Sequence, residues 1–342
     1  MKNLLKIISI VFITTIFSCS KDETAPTVQT VKDIYICGFE YNGTNNVAKV
    51  WKNGSATALT DGTNQVYTSD ITVVGNDVYV VGREKNGIGF AAKVWKNGTA
   101  TALTDGTKFA SANAITVLGN DVYVAGSEYN GIQYVAKVWK NGIATALTDG
   151  TKSATANAIT LVGSDVYVAG YENNGIQYVA KVWKNGVATA LTDGTKSAYP
   201  RAMTLVGNDI YIVGNEYNGT NNVVKVWKNG TASALTNGIK DAEANAITVV
   251  GNDVYVAGSE NNGTNKVAQV WKNGTAIALT DGINDAEANA ITVVGSDVYV
   301  AGYEDNGLKN VAKYWKNGVA TNIASEAALY NSYSNGMFIT RN

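Results

Sequence analysis

The sequence predicts an all-β protein, a seven-bladed β-propeller with four antiparallel strands per blade. A 44-residue internal repeat is the first reason, and it is marked by Trp51, Trp95, Trp139, Trp183, Trp227, Trp271 and Trp315. Within each repeat, four short runs of strand-forming residues alternate with turn signals, and this is the size of a propeller blade. The ends of the chain split one repeat between them, which suits a ring that closes on itself.

The repeat at 157–200 contains each of these elements. No stretch has a helical period of useful length, and β-branched and aromatic residues dominate the runs between turns. Asn185-Gly186 is the strongest turn signal, because both central residues of a two-residue hairpin need positive φ. The four predicted strands are Ala158–Val162, Val166–Gly170, Tyr178–Trp183 and Val187–Leu191.

The two ends of the chain predict how the ring closes. Asp33–Ile36 resembles the second strand of a repeat, so the first repeat lacks its own first strand. Gly336–Thr340 resembles a first strand that follows the last complete repeat. We therefore expect the C-terminal strand to complete the N-terminal blade, which removes the exposed sheet edges of an open array.

The first 32 residues are predicted to lie outside this fold. Lys2 and Lys6 precede an apolar run, 7–17, that is too short to span a bilayer and is typical of a secretory signal. The ending Ile16-Phe17-Ser18-Cys19 resembles a bacterial lipobox, and Ser20-Lys21-Asp22-Glu23 resembles the export tag of surface lipoproteins of the Bacteroidota. These resemblances imply a signal peptide at 1–18, a lipidated Cys19 with a linker at 19–32, and a propeller at 33–342. They also imply a protein anchored to the outer membrane by its lipid and exposed at the cell surface.

Each repeat also resembles a kelch repeat. It shares a Val-Tyr-Val strand that ends in Gly, a strand that closes with an aromatic residue, and a short outer strand. The kelch Gly-Gly doublet is replaced by Ala169-Gly170 and its equivalents. The resemblance implies propeller architecture and carries no catalytic residue to this chain.

Composition argues against several function classes. The net charge is −1 and charged residues make up 16% of the chain, so we expect no nucleic-acid partner and no membrane contact beyond the lipid. Histidine, the commonest general base and metal ligand, is absent from the sequence. If Cys19 carries the lipid, Cys37 is the one free thiol left in the sequence. It stands where other repeats have Ala or Val, so it is interpreted as a small buried residue. We expect no cofactor, no metal and no enzymatic activity, and a monomer.

The candidate binding face is the one that carries the longer loops. The second-to-third-strand loop and the blade-to-blade loop both lie at that end, while the tight hairpin turns lie at the other. Loops held by a rigid scaffold often carry function. The candidate ligand-binding residues are Glu40, Glu84, Glu128, Tyr129, Glu172, Tyr171, Glu216, Tyr217, Glu260, Glu304 and Tyr303.

Recurrent residues also have structural interpretations. The Glu series faces a Lys series on the adjacent strand, so cross-strand ion pairs are the alternative to a ring of ligand-binding carboxylates. The repeated Trp is expected to pack in the core. The Asp after the first hairpin turn is expected to form hydrogen bonds with local backbone. The Asp-Gly loops are expected to be turns rather than calcium sites.

Two binding functions follow from the repeat. Seven similar weak sites suit multivalent glycan binding, in which many modest affinities combine. The alternative is a protein-interaction scaffold or accessory lipoprotein of an outer-membrane complex, with one composite site built from blade-specific loops. A glycan-active enzyme ranks behind both, and a ligand-free surface spacer is the remaining hypothesis.

Overall fold

The structure, a computed structural model, describes residues 30–324 and 329–342. These residues form seven separate four-stranded antiparallel sheets. The first strands of neighbouring sheets contact one another in an unbroken circle, from the C-terminal strand β28 (Ser332–Arg341) through all seven sheets and back to β28. The predicted seven-bladed propeller is therefore confirmed, and the described residues contain no helix.

Each blade has four strands, which we number along the chain. The first strands of blades 2 to 7 are β4 (Val66–Val74), β8 (Ala110–Leu118), β12 (Ala154–Val162), β16 (Ala198–Val206), β20 (Ala242–Val250) and β24 (Ala286–Val294). The second strands of blades 1 to 7 are β1 (Val31–Tyr41), β5 (Asp77–Asn86), β9 (Asp121–Tyr129), β13 (Asp165–Asn173), β17 (Asp209–Tyr217), β21 (Asp253–Asn261) and β25 (Asp297–Asp305). The third strands are β2 (Asn46–Lys52), β6 (Gly89–Lys96), β10 (Tyr134–Lys140), β14 (Tyr178–Lys184), β18 (Asn222–Lys228), β22 (Lys266–Lys272) and β26 (Asn310–Lys316). The fourth strands are β3 (Ser55–Ala58), β7 (Thr99–Ala102), β11 (Ile143–Ala146), β15 (Val187–Ala190), β19 (Thr231–Ala234), β23 (Thr275–Ala278) and β27 (Val319–Asn322).

Ring closure follows the prediction. The C-terminal β28 pairs with β1 in antiparallel register and supplies the missing first strand of blade 1. Next to this pair, the backbone N–H of Asn342 donates to the carbonyl of Thr30 at 3.0 Å. The N-terminal strand therefore has partners on both sides, although β1 begins at Val31, slightly before the expected boundary at residue 33.

The hydrophobic core lies between adjacent blades. The cluster around Trp183, for example, joins Ala125 and Val138 of blade 3 to Ala156 and Val168 of blade 4. All seven Trp side chains are at most 1% exposed, which confirms their interpretation as core residues. Both sheet faces are covered, so each blade depends on its neighbours for burial.

The tight hairpins lie at one end of the propeller, which we call the tight-turn face. Asn and Gly in each Lys-Asn-Gly turn have positive φ, for example 50° at Asn185 and 82° at Gly186, as the two-residue hairpin requires. The opposite end, which we call the loop face, carries the second-to-third-strand loops and the blade-to-blade loops.

Candidate functional site

A β-bulge shapes the wall of the central channel in every blade. In blade 4, Ala156 pairs with Gly170 while Ala158 pairs with Ala169, so Asn157 is an extra residue in the first strand. A bulge of this kind turns consecutive side chains toward one side. Two adjacent residues of each first strand consequently line the channel.

The glycine of the second strand permits this bulge. A Cβ at Gly170 would lie 2.1 Å from the carbonyl oxygen of Thr155, far inside van der Waals contact. The equivalent glycines of the other six blades meet a first-strand carbonyl in the same way. The Gly of the repeated Ala-Gly doublet therefore has a steric role in placing residues on the channel wall.

The channel has a volume of about 270 Å³ and a wall that is largely amide. Four bulge asparagines connect neighbouring blades by donating their Nδ2 to a carbonyl of the next first strand. The bonds are Asn113 to Ala156 at 2.9 Å, Asn157 to Pro200 at 2.8 Å, Asn245 to Ala288 at 3.1 Å and Asn289 to Ser334 at 2.9 Å. This part of the wall is structural, because it connects the blades at the axis.

Two charged residues interrupt the amide wall. Blades 3, 4, 6 and 7 present an Asn-Ala pair at the bulge, whereas blade 2 presents Ser69-Asp70 and blade 5 presents Arg201-Ala202. Sequence reasoning missed both charges. The signal was available, since aligning the first strands of the repeats shows Asp70 where five blades have Ala and one has Gly, and Arg201 where five have Asn.

Asp70 is held by backbone amides. Its Oδ1 accepts a hydrogen bond from the N–H of Ile71 at 2.8 Å, and its Oδ2 accepts one from the N–H of Ile115 at 3.0 Å. Solvent reaches the side chain through the narrow channel while protein surrounds it elsewhere. This burial raises the pKa of Asp70 to about 6, and the two hydrogen bonds only partly oppose the effect.

Cys37 lies close to Asp70 and is completely buried. Burial, together with the negative charge of Asp70, raises the pKa of the Cys37 thiol far above its usual range. The thiol is therefore neutral at ordinary pH, in agreement with its interpretation as a small buried residue rather than a nucleophile.

The predicted Glu residues of the loop face lie in cross-strand ion pairs. Lys225 and Glu216 are 2.6 Å apart, and both side chains are about one-fifth exposed. Equivalent pairs are Lys49–Glu40, Lys93–Glu84, Lys137–Glu128, Lys181–Glu172 and Lys313–Glu304. In blade 6 the amide of Gln269 approaches Glu260 at 3.4 Å instead. The structural alternative is thus present, and a ligand-binding role for these carboxylates stays a prediction.

The predicted Tyr residues lie in different surroundings in different blades. Tyr171 packs edge-on against Tyr178 and Tyr199, at 5.1 Å between ring centroids in both cases. Tyr129 contacts Tyr134 at 5.4 Å, and Tyr303 contacts Tyr333 at 4.8 Å. Tyr217 donates its hydroxyl to the carbonyl of Gly219 at 2.9 Å. These side chains therefore do not form seven equivalent sites.

Opposite parts of the loop face differ in chemistry. In blade 2 the guanidinium of Arg83 lies 5.0 Å from the ring centroid of Tyr67 and 5.3 Å from that of Phe90. At the blade 6–7 boundary, Lys266 instead bridges two carboxylates, Glu243 at 3.3 Å and Glu287 at 2.5 Å. One sector is aromatic and cationic, and another is a salt-bridge network.

Exposed aliphatic side chains surround this face. Six residues at loop tips are between 72% and 93% exposed: Ile88, Ile132, Ile176, Ile239, Ile283 and Leu308. Four occupy the second-to-third-strand loop, where blades 1, 5 and 6 have Thr44, Thr220 and Thr264. Ile239 and Ile283 occupy the following blade-to-blade loop, and Asn221 joins the two loops by donating to the carbonyl of Ile239 at 3.0 Å. Each of blades 2 to 7 thus presents one such residue.

The tight-turn face carries a repeated polar unit. Asp77 accepts from the Nδ2 of Asn97 at 2.7 Å and pairs with Lys96 at 2.7 Å, while Lys96 lies over the ring of Tyr79. The expected structural role of this Asp series is confirmed, but its partners are the side chains of the next hairpin rather than local backbone. The pair with Lys96 and the bond from Asn97 lower the pKa of Asp77.

The Asp-Gly loops are turns, as predicted. Asp193, for example, accepts from the backbone N–H of Thr195 at 2.9 Å and from its hydroxyl at 2.8 Å. Across residues 30–324 and 329–342, no group of three or more Cys, Asp or Glu side chains has a geometry that could hold a metal ion. The same ranges contain no helix that is long and apolar enough to cross a membrane.

A larger depression of about 750 Å³ lies at the tight-turn face, beside Lys32 in β1 and Arg341 at the end of β28. Two of its cations have partners, since Lys52 pairs with Asp33 at 3.1 Å and Arg341 donates to the carbonyl of Val293 at 3.0 Å. Two of the three cations in its lining are therefore already held by protein groups.

The chain matches no known protein-family profile, and no curated protein sequence is similar to it. Among solved structures, it is similar to TolB from Acinetobacter baumannii, at 9% identity and a TM-score of 0.49, over 86% of this chain and 81% of that one. It is also similar to an acylaminoacyl peptidase from Pyrococcus horikoshii, at 13% identity and a TM-score of 0.48, over 76% of this chain. This chain spans 46% of the length of that peptidase. Likenesses this distant say nothing about activity, and the propeller assignment rests on the strand order of the chain itself.

Proposed function

We propose that this chain is a cell-envelope lipoprotein and a non-enzymatic binding module that engages one protein partner through its loop face. The observation that carries the proposal is the set of six exposed aliphatic side chains on that face. Contiguous apolar surface on a folded protein commonly marks an interface, and a partner that covers this face would bury an apolar side chain from each of six blades. A flat protein surface can contact several blades at once. The hydroxyl groups of a sugar, in contrast, form no hydrogen bond with an isoleucine side chain.

The blade-specific chemistry supports one composite site rather than seven equal ones. Arg83 with its two aromatic neighbours offers a hot-spot type of contact, since Arg and Tyr are enriched at interface centres. The Lys266 network lies at a different position around the ring. A partner that contacts both sectors is bound in one orientation, which suits a scaffold or accessory role in an outer-membrane complex.

The repeat resemblance to kelch proteins and the lipobox resemblance both fit this proposal. Cys19 and the rest of residues 1–29 lie outside the described residues. Because β1 begins at the tight-turn face, a lipid on Cys19 directs that face toward the membrane, over a linker of at most about 43 Å. The loop face then points away from the anchoring membrane toward a partner. Anchoring is tested with Cys19→Ala, which should abolish incorporation of labelled palmitate and release the chain from the membrane fraction.

The partner interface is tested with a sixfold variant, in which each exposed aliphatic loop residue is replaced by Thr. Threonine occupies the equivalent positions in other blades, so the fold should be preserved. A photo-crosslinker at Lys85 in the full chain on intact cells should form a discrete adduct with one protein, and the sixfold variant should lose it.

The matched control removes equally exposed aliphatic residues from the tight-turn end. Ile143, Val187 and Val319 are 71–75% exposed there, and other blades have Thr at these positions. Their threonine variant should retain the adduct. Equal loss in both variants would contradict a loop-face interface. Binding of several glycans per chain, with no protein adduct, would instead support the multivalent glycan function.

A further inference from the structure

The central channel contains two opposite charges that the propeller does not use. Asp70 is on blade 2 and Arg201 is on blade 5, and both line the channel. In a ring of seven, blades 2 and 5 are as far apart as two blades can be, so the charges face each other across the axis. Among the described residues, Arg201 has no ion pair or hydrogen bond, and it is exposed to the channel solvent. The partners of Asp70 are two backbone amides, and no cation is among them.

The fold does not require either charge. Five blades have Asn at the bulge position that Arg201 occupies, and at the position of Asp70 five blades have Ala and blade 1 has Gly336. An ionised group in a confined space costs free energy unless an opposite charge compensates it. Two such groups on one cavity wall, each at the position of a neutral residue elsewhere, are typical of a ligand site.

We infer that the channel binds a small zwitterion, with its carboxylate on the guanidinium of Arg201 and its ammonium on the carboxylate of Asp70. A guanidinium presents a planar fork of donors that matches a carboxylate. Each oxygen of Asp70 accepts one backbone hydrogen bond and retains a further lone pair for an ammonium. This site is separate from the loop face, and its occupancy does not depend on the proposed partner.

The dimensions of the channel favour a slender ligand. Its volume of about 270 Å³ lies just below the usual range for drug-sized ligands, roughly 300–1,000 Å³. Ala158, Ala246 and Ala290 supply small apolar patches between the amides. An ω-amino carboxylic acid matches this wall, because its charged ends reach the two poles and its methylenes contact the alanines.

Binding should depend on pH through Asp70. β1 contributes the buried Cys37 thiol, which remains neutral, while β8 and β28 contribute backbone near Ile115 and Gly336. Arg201 lies across the channel on blade 5. The pKa of Asp70 is raised to about 6, so its ionised fraction, and with it the affinity for an ammonium, should fall about tenfold from pH 7 to pH 5.

The test uses a graded series of ω-amino acids, from β-alanine to 8-aminooctanoate, titrated calorimetrically into the full chain in detergent. One length should bind best, with one ligand per chain. Hexanoate and hexylamine, which each lack one charge, should bind at least about thirty-fold more weakly than the best zwitterion. The variants Arg201→Asn and Asp70→Ala, which restore the residues of other blades, should each lose at least about thirty-fold in affinity.

Two matched variants remove a charge outside the channel. Lys85→Asn and Asp305→Asn also restore residues of other blades, and both should bind like the unmodified chain. Circular dichroism establishes that each variant is folded. The inference is overturned if no member of the series binds at up to about 10 mM, or if the Arg201 and Asp70 variants bind as tightly as the unmodified chain. Loss of the pH dependence in Asp70→Ala would assign the titration to that carboxyl group.

Discussion

Among single residues, Asp70 and Asp77 show how position sets the sign of an acid's effect on stability. Asp70 faces a confined channel, and burial raises its pKa to about 6. Asp77 lies on the open tight-turn face, where Lys96 and Asn97 lower its pKa. The folded state therefore favours the protonated form of Asp70 and the ionised form of Asp77.

Neutralising Asp70 should stabilise the fold more at high pH than at low pH. The pKa of Asp70 in the folded state lies above the unfolded value of 3.8. The stability that Asp70 contributes is therefore fully present below about pH 4 and is lost as the pH rises through 6. The free energy of unfolding of Asp70→Asn, relative to the unmodified chain, should therefore increase by about 1–3 kcal/mol between pH 4.5 and pH 7.5. Urea denaturation of the full chain at both pH values measures this difference.

Asp77→Asn is the control with the opposite sign. The depressed pKa of Asp77 stabilises the fold above the unfolded pKa, and this contribution is lost as the pH falls through the folded pKa. The variant should thus be less stable than the unmodified chain at pH 7.5, with a smaller deficit in acid. The same pH trend in both variants would argue against the channel as the cause of the Asp70 effect.

Among structural elements, the bulged first strand connects the repeat to the site. The extra residue turns two side chains into the channel, and the facing glycine leaves space for the displaced carbonyl. Asn113 then ties blade 3 to blade 4 through the carbonyl of Ala156. The β-bulge in each blade therefore places the asparagine amides on the channel wall. It also sets the positions of Asp70 and Arg201.

Gly126→Ala should destabilise the propeller by about 3 kcal/mol, because its Cβ would lie 1.9 Å from the carbonyl oxygen of Ser111. Gly131→Ala in the same blade provides the comparison. Gly131 has a φ of +108° and open space around it, so only backbone strain of about 1 kcal/mol is expected. Urea midpoints should rank the two variants in this order. An equal or reversed ranking would show that the bulge relaxes around a methyl group.

In the whole molecule, stability depends on closure of the ring. Each blade buries its faces against two neighbours, so one missing strand exposes two interfaces and the edge of β1. Ser334 in β28 is fully buried and donates to the carbonyl of Gly302 at 2.5 Å, which connects blade 1 to blade 7. The C-terminal strand is therefore part of the core as well as of the sheet.

Deleting residues 332–342 should remove the cooperative thermal transition, since the loss is comparable to the whole stability of a domain, about 5–15 kcal/mol. A synthetic peptide of residues 332–342 added to the truncated chain should restore the transition, while a peptide with the same residues in scrambled order should not. Differential scanning calorimetry measures both outcomes. Unchanged melting of the truncated chain would contradict closure by β28.

Much of the fold could be predicted because each repeat encodes it locally. Asn-Gly turns require positive φ, alternating strand residues require two covered faces, and the split repeat requires closure between the ends. The candidate site was predicted less well. Glu216 and its equivalents were expected beside cross-strand lysines, where the structure has them, but the sequence left ion pairing and ligand binding as alternatives, and Asp70 and Arg201 were missed.

The sequence by itself determined the blades, their number and the way the ring closes, because these follow from turn chemistry and a 44-residue period. Only the tertiary structure decided which residues face the axis. Asp70 and Arg201 are 131 residues apart in the chain, and they share one channel because seven bulged strands converge there. Their electrostatic environment depends on burial created by the closed ring, and no local pattern in the sequence encodes it.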